Sequence, residues 1–194
     1  MNRIALSRRA LIGGIGATAL FPAWARSGTP GIGAALSGPE IRLNVGHTPF
    51  TVGGRTGHAV TVNGTLPAPL IRLKEGQTAR LIVTNHLDED TSIHWHGLLL
   101  PFQMDGVPGI SFPGIAPHSS FTYEFPVIQA GTYWYHSHSN LQEAMGHYGP
   151  IVIDPADADP VAYDREHVIV LSDWSFMHPH AVMTTLKQQA GYFN

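Results

Sequence analysis

The chain has 194 residues, 43% of them hydrophobic and 13% charged, with a formal net charge of −3. That length suits one compact domain or slightly more, and a mildly acidic body without a basic stripe argues against nucleic acid as a partner. There is no Cys, which excludes disulfides and any cysteine-ligated metal within this chain.

The first 25 residues read as a targeting segment. Ser7-Arg8-Arg9-Ala10-Leu11 fits the twin-arginine pattern. The apolar run Leu11–Phe21 that follows is too short to span a bilayer comfortably. Ala23-Trp24-Ala25 fits an A-x-A cleavage site. The expected product is a periplasmic protein without a stable membrane anchor. All 12 His lie after the leader and travel with it.

Residues 26–40 are rich in Gly, Ser and Pro and read as a flexible lead-in. Strand-like runs then alternate with turn signals. They are Ile41–Val45, Ala59–Val62, Leu70–Leu73, Thr78–Thr84, Ser92–His96, Ser120–Phe125, Thr132–His138, Gly149–Ile153 and His167–Leu171. Asn63-Gly64 marks a tight turn. In Ser120–Phe125, the aromatic residues Phe121, Tyr123 and Phe125 share one face. Only Asn140–His147 reads as helical, and Glu143 and His147 are taken as surface residues of that short helix. After Leu171 strand character fades and no core stripe is evident. The 21 Gly and 15 Pro supply the many turns that a β-sandwich or barrel requires.

Two short histidine pairs carry the chemistry: His94-Trp95-His96-Gly97 and His136-Ser137-His138. Residues i and i+2 of a strand share a face, so each pair projects two imidazoles from about 7 Å of backbone. Two such strand ends side by side gather four nitrogen donors suited to copper, zinc, iron or nickel. Trp95 falls on the opposite face. His47, His58, His86, His118 and His167 sit in no motif, and His178 and His180 read as a solvated turn. No Walker loop, G-x-S-x-G or H-E-x-x-H motif occurs.

The flanks of the pairs read HWHGLLLPFQMDGVPG and GTYWYHSHSNLQEAMGHYGPIVI. Together these segments resemble the first cupredoxin domain of the multicopper oxidases, closest to the bacterial copper-resistance, laccase-like subgroup. The resemblance runs from Ile41 to nearly the C-terminal end. It implies an all-β fold, a cupredoxin-like Greek-key sandwich or barrel at residues 41–155. Residues 156–194 would then hold a last strand and the start of a linker to a missing second domain.

By the same resemblance, His94 binds a type 2 copper, and His96, His136 and His138 bind a type 3 pair. Asp105, within Met104-Asp105-Gly106, matches an acid that supplies protons or orients a ligand; read without its flanks, it is a turn aspartate before glycine. The family draws its other cluster histidines and a cysteine-ligated type 1 copper from a C-terminal domain, so these residues make half of a trinuclear cluster. The implied co-substrates are O2 and a reductant such as Cu(I) or a phenol. A stand-alone copper-sequestering domain and a four-histidine zinc hydrolase are the competing readings.

Overall fold

The computed structural model describes residues 35–159 and 161–193. The expected leader, 1–25, lies outside them. The described residues contain eight strands: β1 (Ile41–Val52), β2 (Arg55–Val62), β3 (Ile71–Lys74), β4 (Thr78–Asn85), β5 (His94–His96), β6 (Ser120–Pro126), β7 (Gly131–His136) and β8 (Tyr148–Asp154). They form two four-stranded sheets, ordered β2-β1-β4-β6 and β3-β8-β7-β5. Each sheet mixes one parallel pair, β1 with β4 or β3 with β8, into otherwise antiparallel ladders. This is the expected cupredoxin-like sandwich.

Alternation along the strands builds the core. Leu43 and Val45 of β1, Leu81 and Val83 of β4, and Tyr123 and Phe125 of β6 are buried from one sheet. Ile71, Leu73, Trp95, Tyr135, Ile151 and Ile153 are buried from the other. Trp95 meets Tyr123 edge-on, with centroids 5.2 Å apart and planes at 85°. Such aromatic pairs add about 0.5–1.5 kcal/mol beyond their buried area. Because Trp95 turns into the core, its neighbours His94 and His96 must face outward.

The hairpin between β1 and β2 extends well past the expected Ile41–Val45, turning at Gly53 and Gly54, both with positive φ. Asn63 and Gly64 also have positive φ, as the tight-turn reading requires. The end of the lead-in is tied down: the Leu36 amide donates to the Leu70 carbonyl at 2.7 Å, and Leu36 accepts from Arg72 at 2.8 Å.

Two expectations need correction. His167–Leu171 joins no sheet, and Ile169 and Leu171 are exposed: apolar alternation alone does not make a strand without a ladder partner. The segment also holds a helix that strand reasoning passed over, α1 (Pro179–Gln188), with Pro179 in its first turn, Lys187 in its last and no buried residue. Asn140–His147 contributes only a 3-10 turn, Gln142–Met145.

Candidate metal centre

β5 is an edge strand paired antiparallel with β7, and the register sets His94 opposite His136 and His96 opposite Trp134. The outer face of this two-strand patch is therefore a grid of three imidazoles and one indole. Trp134 stacks on His136, with centroids 4.1 Å apart and planes at 18°. The chain then leaves β7 and brings His138 back, its ring centroid 4.8 Å from that of His94 and 5.1 Å from that of His136. The structure thus gathers all four histidines singled out in the sequence. His94, His96 and His136 each offer a ring nitrogen within 4.8 Å of the other two.

Hydrogen bonds fix which nitrogen faces the cluster. His94 donates from Nδ1 to the Asp105 carbonyl at 2.7 Å, leaving Nε2 as its free donor atom. His136 donates from Nδ1 to the Ser137 carbonyl at 3.1 Å. Its Nε2 then lies 3.2 Å from His96 Nδ1. Two nitrogens bound to one metal at about 2.0 Å and a tetrahedral angle are about 3.3 Å apart, so this pair fits a shared metal ion.

Asp105 follows the 3-10 turn Phe102–Met104 and caps it, its amide bonded to the Phe102 carbonyl. Its carboxylate Oδ1 lies 3.4 Å from His94 Nδ1. The close approach depends on Gly106, at φ +78°, where a β-carbon would fall 1.8 Å from the Ile93 carbonyl oxygen. Only glycine fits that position.

The loop after β7 is held from behind by a buried polar network. Gln142 is fully buried and accepts from Thr91 Oγ1 at 2.7 Å and Ser137 Oγ at 2.9 Å. Its amide donates to Glu89 Oε1 at 2.8 Å and the Asp90 carbonyl at 3.0 Å. Ser92 Oγ accepts from the His138 amide at 3.0 Å. Fully satisfied, such a network rigidifies the histidines it backs. A single Gln or Ser carries no sequence signal for this role.

Burial favours the neutral form of two of the donors, His136 and His138. It pushes the His136 pKa down to about 4, with the neighbouring imidazoles adding to the effect. It lowers His138 as well, helped by His94. Partial burial raises the Glu143 carboxyl, opposed by His96. Neutral imidazole is the metal-binding form, so these rings are ready to bind without losing a proton.

His147 is not the surface residue expected, while Glu143 is exposed as expected and reaches toward the cluster. Glu143 Oε2 lies 2.8 Å from His136 Nδ1. His147 is fully buried and neither ring nitrogen has a partner. Burial pushes its pKa down to about 3, with His136 adding to the effect. An unfolded His titrates near 6.5, so between these values the unfolded chain binds the extra proton. Stability from this group is complete above about pH 6.5 and is lost as pH falls toward 3. Urea unfolding of the metal-free chain should show a loss of roughly 2 kcal/mol from His147 between about pH 7 and 5. His147→Leu should flatten that slope; an unchanged slope in the variant would contradict the assignment.

Two mixed sheets with a cluster of four imidazoles at the β5–β7 pair and the loop after it define a cupredoxin-like domain. The chain belongs to the multicopper oxidase family: the family model described as "Multicopper oxidase" matches residues 37–158. It is similar to copper resistance protein A of Pseudomonas syringae pv. tomato, 48% identical over 196 residues, covering 97% of this chain and 32% of that protein. Laccase-2 of Botryotinia fuckeliana is 42% identical over 156 residues, covering 78% of this chain and 26% of that protein. Among solved structures, Fet3p, a multicopper oxidase that functions in iron import, aligns with a TM-score of 0.69 and 33% identity, over 76% of this chain and 28% of that one. The chain thus spans about a third of the length of the copper resistance protein it matches.

Proposed function

We propose that this chain is the copper-binding N-terminal part of a periplasmic multicopper oxidase that couples oxidation of a reductant, Cu(I) or a phenol, to four-electron reduction of O2 to water. The observation that carries the reading is the 3.2 Å approach of His96 Nδ1 and His136 Nε2 from paired strands, with His94 and His138 beside them. In this reading His94 holds a type 2 copper, and His96, His136 and His138 contribute to a type 3 pair. Copper bound there supplies the one-electron steps that O2 reduction needs.

The chain's own residues do the rest. His94 is oriented by the Asp105 carbonyl, and the Asp105 carboxylate stands at the edge of the cluster to deliver protons, four of which each O2 consumes. Trp134 covers one face of His136 and limits its motion. Residues 41–155 form the domain, and 156–194 begin a linker. The remaining cluster ligands and a cysteine-ligated type 1 copper come from further domains, since this chain has no Cys.

Relatives named for copper resistance support a role in copper homeostasis. The twin-arginine segment supports export to the periplasm. No helix among the described residues is long and apolar enough to cross a membrane. The lack of Cys favours one second reading for the chain by itself, copper sequestration without turnover.

Oxygen uptake tests the proposal. A longer polypeptide carrying this chain, loaded with copper, is expected to consume about one O2 per four electrons from Cu(I) or a phenol, while the 194-residue chain alone gives no turnover and no intense blue band. Release of hydrogen peroxide as the main product, or turnover by the chain alone, would contradict it.

A further inference from the structure

The 3-10 turn Gln142–Met145 sends two neighbouring side chains in different directions. Gln142 points into the buried network, while Glu143 stays half exposed and brings Oε2 to 2.8 Å from His136 Nδ1. His136 needs an orientation device. Its ring is held by stacking on Trp134, with centroids 4.1 Å apart. Stacking fixes the plane of an imidazole but is indifferent to a half-turn within that plane. Such a half-turn about Cβ–Cγ would put the ring carbon Cε1 where Nε2 now faces His96.

Two groups break this symmetry. The Ser137 carbonyl lies 3.1 Å from Nδ1, and the Glu143 carboxylate lies closer. Both are acceptors. Together they call for a proton on Nδ1 and leave the Nε2 lone pair toward His96 Nδ1. The carboxylate is the stronger of the two, because its charge makes the unprotonated Nδ1 repulsive at that distance. The Ser137 carbonyl belongs to the residue next to His136, whereas Glu143 comes from the following turn, next in the chain to the buried Gln142.

We propose that Glu143 is a positioning residue that sets the tautomer and ring orientation of His136 for metal binding. This inference rests on the reading of the four histidines as a copper site. A carboxylate behind a ligating imidazole also raises its basicity toward the metal.

The test uses the 194-residue chain with 15N-labelled histidine, free of metal. Long-range 1H–15N correlation reads the tautomer of His136 directly. Competitive titration with Cu(II) against a chelator reads affinity. The parent chain is expected to show His136 protonated at Nδ1. Glu143→Ala should give a mixture of tautomers and weaken Cu(II) binding about 10–100-fold. Glu143→Gln, which keeps an oxygen beside the same nitrogen, should restore the tautomer and most of the affinity. Glu143→Lys offers donors only and should shift the proton to Nε2, with a loss at least as large as that of Glu143→Ala. An unchanged tautomer and affinity in Glu143→Ala and Glu143→Lys would overturn the positioning role. His136→Ala separates the two levels of inference. If it lowers Cu(II) binding while the Glu143 variants do not, the positioning role fails alone; if it has no effect, the copper reading fails.

Discussion

His94→Ala or His138→Ala, placed in a longer copper-loaded polypeptide that carries this chain, is expected to abolish O2 reduction and leave the blue absorbance of a type 1 copper intact. The two rings are neighbours in the cluster, with centroids 4.8 Å apart, but come from different segments. His94 projects from the edge strand β5, and His138 returns from the loop behind β7. Removing either leaves the strand pairing in place, because His94 pairs with His136 through backbone groups. The fold should survive, so the loss falls on the chemistry. Oxygen uptake and visible absorbance, measured on the same sample, check both halves. Retained turnover in either variant would remove that residue from the site.

Asp105→Asn should keep the copper and slow turnover by about 10²–10⁴-fold, the range expected when a positioned proton donor is lost. The geometry separates two roles within this one residue. The backbone carbonyl accepts from His94 Nδ1 at 2.7 Å, and that contact is untouched by changing the side chain. Only the carboxylate, 3.4 Å from the same nitrogen, is altered. Asparagine matches aspartate in shape but does not carry protons near neutral pH. Copper content and EPR signature should therefore match the parent while the rate falls. A loss of copper in Asp105→Asn would assign the side chain to metal retention instead.

The first pair is legible because strand β5 enforces the i, i+2 rule; at the second, β7 ends at His136 instead of the expected His138, and the loop that follows brings His138 to the cluster. The meeting of the two pairs was an inference from motif order. What the sequence could not supply was the register that sets His94 opposite His136, since that depends on β5 lying at the sheet edge next to β7. Trp95 was readable as the inward residue between two outward ones. His147 departs from its expected surface place, whereas Glu143 keeps its own. A helical face over Asn140–His147 would expose both, but the 3-10 turn ends at Met145, so His147 falls beyond it, buried next to β8, while Glu143 within the turn reaches toward His136. The strand expected at His167–Leu171 failed because alternation shows what could pair and not whether an edge is available. α1 carried start and stop signals in Pro179 and Lys187, yet it lacks the apolar stripe that marks a core helix.

Copper binding by the purified 194-residue chain tests the central claim most directly. Cu(II) is titrated into the parent and into the variant with His94, His96, His136 and His138 all replaced by alanine, with binding read by competition against a chelator and ligation by EPR. The account predicts specific binding with nitrogen coordination in the parent and its loss in the variant, while His178→Ala and His180→Ala bind as the parent does. Copper that stays bound with the same signature in the fourfold variant, and leaves only when His178 or His180 is replaced, would contradict it.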